Sequence, residues 1–139
     1  MKKKCFLILI AVISILMITG CSKNKLKEGI DYNVNGEYKG QYLDITKKGY
    51  YIETYNSPEA PYLYIICMGE KNTGGYSLKI KEVNKNNETT EIIVEEINPP
   101  KNAPVTMAFT YPTIVVEFPK YQENIVIKNT KGEIFNELD

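Results

Sequence analysis

The chain has 139 residues, 43% of them hydrophobic and 24% charged, which suits one globular domain and excludes a disordered or collagen-like polymer. Seventeen basic residues, all lysine, balance seventeen acids, so no basic excess points to nucleic acid as a partner. Histidine is absent, which removes Ser-His and Cys-His catalysis, histidine-ligated zinc and imidazole acid–base chemistry.

Met1-Lys2-Lys3-Lys4 is a positively charged start, and Phe6 to Ile18 is an uncharged apolar run. That run falls short of the ~20 residues that span a bilayer and reads as a secretory signal over residues 1–20. Ile18-Thr19-Gly20-Cys21 resembles the lipobox of bacterial lipoproteins, in which small residues let the peptidase fit closely before an acylated cysteine. The resemblance implies lipidation at Cys21 and a chain held on the extracytoplasmic face of the membrane, since two acyl chains anchor stably where one is marginal. Losing the three leading lysines leaves fourteen against seventeen acids, a net charge of −3. With Cys5 removed and Cys21 acylated, Cys67 is the remaining thiol, so no intramolecular disulfide is expected. The polar stretch 21–37 reads as a lipidated tether. About fifteen flexible residues reach roughly 20 Å. Tyr38 to Ile45 either ends this tether or adds an edge strand, and the domain is placed at 38–139.

Tyr50 to Tyr55 is rich in β-formers and ends in the turn signal Asn56-Ser57-Pro58. Tyr62 to Met68 is continuously apolar between Pro61 and Gly69, as expected of a central strand covered on both faces. Tyr76, Leu78 and Ile80 alternate with Ser77, Lys79 and Lys81, which predicts a strand with one buried face. Asn84 to Asn87 then turns the chain, and Thr89 to Ile97 completes a hairpin. Ile114, Val116 and Phe118 define a further strand, and Ile125 and Ile127 begin another. No stretch shows a capped period of 3.6. The expected fold is all-β, an antiparallel sandwich or partly open barrel with at most one short helix.

Two segments depart from strand chemistry. Gly69-Glu70-Lys71-Asn72-Thr73-Gly74-Gly75-Tyr76 is a glycine-rich connection, but a phosphate loop would need a following helix and a Lys-Ser/Thr pair. Its paired glycines either make a tight hairpin or bulge or let another backbone approach closely. Asn98-Pro99-Pro100-Lys101-Asn102-Ala103-Pro104, continuing through Met107-Ala108-Phe109-Thr110-Tyr111-Pro112, is stiff and short of donors, which suits an edge cover or a preorganised binding loop with exposed aromatics. Tyr111–Pro112 is a bond where the cis isomer would cost little.

Met68 to Ser77, continued by Leu78-Lys79-Ile80, resembles the signature of the PrcB family, usually Gly-Glu-Lys-Pro-Thr-Gly-Gly-Tyr-Ser. Asn72 stands where that signature has proline. Ala108-Phe109-Thr110-Tyr111-Pro112 is similar to the family's Ala-Leu-Thr-Tyr-Pro segment, with Phe109 for leucine, and order and spacing agree from Tyr62 to about Pro119. No counterpart is evident to the short helix that many members carry before the central strand. The resemblance implies an exported lipoprotein that acts as an accessory subunit, associating with and stabilising a subtilisin-like protease. The Asn72-Thr73-Gly74-Gly75-Tyr76 loop also resembles, over that loop alone, the Asn-Pro-Thr-Thr-Gly-Tyr loop of chagasin-like cysteine-protease inhibitors.

The expected function is thus a membrane-tethered module, not an enzyme, that grips an exported protein, a protease by resemblance. Lys71, Asn72, Thr73, Gly74, Gly75 and Tyr76, with Pro104, Thr110, Tyr111 and Pro112, are the candidate contact residues, and Tyr76 and Tyr111 are either aromatic anchors or core residues. A protease inhibitor of chagasin type is the alternative. Cys67, inside an apolar strand with no histidine to activate it, is a poor nucleophile. Glu91, Glu95 and Glu96 read as a solvated run, no spaced aspartate pattern suggests a metal, and no cofactor is expected.

Overall fold

The computed structural model describes residues 29–139, so the expected signal segment 1–20, the expected lipidation site Cys21 and the first part of the expected tether lie outside the described residues. Eight strands and no helix make up the described chain: β1 (Asn33–Asn35), β2 (Lys48–Thr54), β3 (Tyr62–Met68), β4 (Ser77–Asn86), β5 (Thr89–Ile97), β6 (Thr113–Phe118), β7 (Asn124–Asn129) and β8 (Ile134–Phe135). They form two four-stranded sheets of order β1-β6-β3-β2 and β4-β5-β7-β8. The strands therefore build a sandwich, as the regular spacing of β-forming runs predicts.

One face of β3 sends Tyr64, Ile66 and Met68 into the space between the sheets, where they meet Leu78, Ile92, Val94, Ile114, Val116, Phe118, Ile127 and Phe135. Each such fully buried side chain contributes roughly 1.5–3 kcal/mol. The other face sends out Leu63, Ile65 and Cys67, which pack with Tyr51 and Val115. Tyr38, Leu43, Ile45 and Leu138 cover that second cluster. This double cover explains why β3 is apolar throughout. It also decides the role of Tyr38 to Ile45: the segment forms no strand and instead lays its apolar side chains over the outer face of β3. The pairing at this edge comes earlier, where Asn33–Asn35, inside the stretch read as tether, pairs with Val115–Glu117.

β4 and β5 form the expected hairpin, but β4 runs on through Asn86, leaving a two-residue turn of Asn87 and Glu88. Asn87 takes φ 56°, the left-handed conformation that two-residue hairpin turns demand. A bulge between Ile80 and Glu82 resets the alternation, so Val83 packs against the same core as Leu78 and Ile80.

One pairing departs from the antiparallel expectation. β5 and β7 are parallel, because the chain leaves β5, passes through β6 in the other sheet and returns in β5's direction. β8 pairs with β7, and the chain beyond it crosses to β2, where Tyr50 N donates to Asn136 O at 2.9 Å and Leu138 N to Tyr50 O at 2.8 Å. A Cβ on Gly49 would stand 2.5 Å from Asn136 O, so glycine is what lets this segment close one side of the sandwich. On that side Lys48 Nζ meets Glu96 at 2.8 Å and Glu133 at 3.1 Å. The other side, between β4 and the β1–β6 pair, stays open.

Candidate functional site

β3 lies beside β6 in one sheet, and β4 beside β5 in the other. The connection 69–76 from β3 to β4 and the connection 98–112 from β5 to β6 therefore cross between the sheets side by side at one pole. The glycine-rich segment is thus an inter-sheet crossover and not a hairpin.

The two connections are fastened together. Lys71 and Thr110 exchange both backbone hydrogen bonds, at 2.8 and 2.9 Å, and Gly74 N donates to Thr106 O at 2.9 Å. Thr110 Oγ1 donates to Thr73 O at 2.7 Å, Tyr111 Oη donates to Glu70 Oε2 at 3.1 Å, and Met68 N donates to Pro112 O at 2.9 Å. Charge-assisted donation to the Glu70 carboxylate raises the Tyr111 phenol above its ordinary value. Gly75 has φ +87°, and a Cβ there would stand 2.8 Å from Pro99. The prolyl segment of the same chain therefore lies directly against this glycine, leaving no room for a side chain there.

The candidate residues divide by what they touch. Tyr76 is half-buried against the core, with the Lys71 ammonium 5.6 Å from its ring centroid, a cation–π contact. Pro112 is buried, Tyr111, Thr110 and Thr73 are half-buried, and Asn72, Gly75 and Pro104 are exposed. Tyr76 and Tyr111 thus hold the pole together more than they project from it. Every peptide bond among the described residues, Tyr111–Pro112 included, is trans.

What projects is a pair within the candidate segment Pro104 to Pro112, though not among its individually named contact residues. Met107 is 85% exposed and Phe109 62% exposed, both on the prolyl segment, one on each side of Ala108 and between Thr106 and Thr110, which bond to the glycine loop. A two-residue apolar signal inside a proline-flanked segment with no strand alternation marks them in the sequence. Beside the joined loops, a groove of about 280 Å³ runs along the open side, lined by Glu37, Tyr76, Leu78 and Ile114 among others.

The groups considered for chemistry are differently placed. Cys67 is fully buried, and burial, with the Asp44 charge, pushes its thiol up to about 11, which keeps it protonated and unreactive at neutral pH. Glu91, Glu95 and Glu96 are not a free run: they pair with Lys128 at 2.8 Å, Lys81 at 3.4 Å and Lys48 at 2.8 Å. No group of three or more metal-ligating acids or cysteines occurs among the described residues, and no helix there is long and apolar enough to cross a membrane.

Residues 62–119 match the family described as PrcB C-terminal, a span that opens on the first residue of β3, ends just past β6 and holds both joined loops. No curated protein and no solved structure matches the chain. The matched span contains the glycine loop, the prolyl segment and the two pairs of neighbouring strands that bring them together, so the likeness to the PrcB C-terminal family is carried by the part of the chain that builds the joined pole.

Proposed function

We propose that the chain is a non-catalytic, lipid-anchored module that docks an exported protease as an accessory subunit, using the pole where the two crossovers meet. The observation that carries this reading is the exposed pair Met107 and Phe109, held on a segment that is itself pinned by the Lys71–Thr110 exchange. Pinning matters because a preformed loop loses little entropy on binding. Each of the two side chains, transferred from water into a partner, contributes roughly 1.5–3 kcal/mol. The match of residues 62–119 to the PrcB C-terminal family supports a protease-associated role. The lipobox-like Ile18 to Cys21 supports attachment at the outer face of the cell membrane.

The test is co-purification of the full-length, acylated chain with exported proteases, followed by the lifetime of the protease activity. An accessory subunit prolongs that activity. A chagasin-type inhibitor, the other consequence of loops clustered at one end of a sandwich, suppresses it in stoichiometric fashion. The double substitution M107E/F109E should release the protease while leaving the fold intact. Retention of the protease by that folded variant would reject the pole as the docking site.

A further inference from the structure

At the opposite pole, where β5 and β7 begin and β6 ends, a cleft of about 410 Å³ is lined by Tyr50, Ile52, Tyr121, Gln122, Glu123 and Glu137 among others. The loop that forms its rim, between β6 and β7, is held by polar groups drawn from the core. Gln122 N donates to Tyr64 Oη at 3.0 Å, Tyr64 Oη donates to Gln122 O at 3.4 Å, and Thr90 Oγ1 donates to Gln122 Oε1 at 2.6 Å. Gln122 Nε2 in turn donates to Lys120 O at 2.8 Å. Tyr64 and Thr90 are both buried, so two core residues fix Gln122 in a surface loop whose preceding residue, Tyr121, is 50% exposed. The Tyr121 ring is set against Tyr62 with centroids 5.4 Å apart.

The charges facing this cleft have one sign. Glu123 and Glu137 are its charged lining residues, whereas Lys85 and Lys120 line adjoining hollows around Tyr121. Tyr50 Oη donates to Glu137 Oε2 at 3.4 Å, and burial and that carboxylate push the Tyr50 phenol up to about 12. A fixed, half-exposed aromatic ring beside carboxylates is the environment that favours an alkylammonium, through the ring quadrupole and Coulomb attraction together.

We propose that this cleft binds an organic ammonium group, either of a small amine or of a lysine side chain presented by a polypeptide. The site is separate from the joined loops and does not depend on their role. The test is a backbone amide NMR titration of the full-length chain with choline and with Nα-acetyl-lysine methylamide, against the neutral isostere 3,3-dimethylbutan-1-ol and methyl glucoside. Saturable shifts at Tyr121, Gln122 and Glu123 with either cation, and none with the two neutral probes, are expected. Preference for choline assigns the small-molecule source, and preference for the lysine derivative assigns the polypeptide source. E123Q/E137Q should weaken binding about five- to tenfold. Tyr121→Phe should keep binding and Tyr121→Ala should lose it. Equal response to the neutral isostere, a response to the glucoside alone, indifference to E123Q/E137Q, or no saturable shift with either cation would overturn the assignment.

Discussion

Gly75 and Pro99 pack so closely that a Cβ on the glycine would stand 2.8 Å from Pro99 Cβ. The glycine also sits at φ +87°, where an L side chain costs about 1–3 kcal/mol by itself. Gly75→Ala should therefore destabilise the fold by at least that amount in urea unfolding. Gly74→Ala, which meets Thr106 only at 3.4 Å, should stay within about 1 kcal/mol. Equal effects at the two positions would contradict the close-approach account.

Thr110→Val keeps the shape of the side chain and removes the hydroxyl that donates to Thr73 O. A loss of about 0.5–1.5 kcal/mol is expected. Amide exchange should quicken at Lys71 and Gly74, whose bonds tie the crossovers, and stay unchanged in β5. A uniform change across the chain would show that the hydroxyl supports the whole fold and not the joint.

Asn129 is buried and works as a hub. Its amide donates to Glu96 at 2.8 Å and Glu133 at 2.7 Å, and its oxygen accepts from Lys131 N at 3.0 Å and Glu133 N at 2.9 Å. Asn129→Leu removes all four bonds, leaving Glu96 and Glu133 with Lys48 and the Lys131 and Glu133 N–H groups without this acceptor, so thermal unfolding should report a loss of about 2–4 kcal/mol. It should also free β8 and the segment 136–138 that closes the β2 side. A neutral substitution would mean that this turn contributes little to closure.

Alkaline pH tests the burial of Cys67. The thiol holds its proton up to about 11 in the fold against 9.0 for the ordinary group. The folded state thus binds more protons over that window, and stability that is fully present below pH 9 is lost as pH rises towards 11. The loss is on the order of 2–3 kcal/mol. Tyr50 and Tyr64, pushed from 10.0 to about 12, add the same sign above pH 10. Cys67→Val should flatten the fall between pH 9 and 10, measured by urea midpoints, and leave the steeper part. An identical profile would place the thiol in contact with water.

Much of the sandwich was legible from local pattern. The runs at Tyr62 to Met68 and Thr89 to Ile97 coincide with β3 and β5, because an apolar run or a strict alternation reports burial directly. The parallel β5–β7 pair was not legible, since its direction follows from a detour through the other sheet. Neither was β8, two residues long, or the phase reset at the Ile80–Glu82 bulge. The candidate loops were found by their glycines and prolines. The exposed apolar pair Met107 and Phe109 falls in the segment that its prolines marked, but that Tyr76 and Tyr111 would turn inward depended on pairings between distant residues, such as Lys71 with Thr110, which no local signal carries.

Site-specific photo-crosslinking in living cells tests the docking pole most directly, with a photoreactive amino acid placed at Phe109 in one strain and at Lys79, an exposed β4 position, in another. The account predicts that the Phe109 probe links the chain to an exported protease and that the Lys79 probe does not. Crosslinks from Lys79 with none from Phe109 would contradict it.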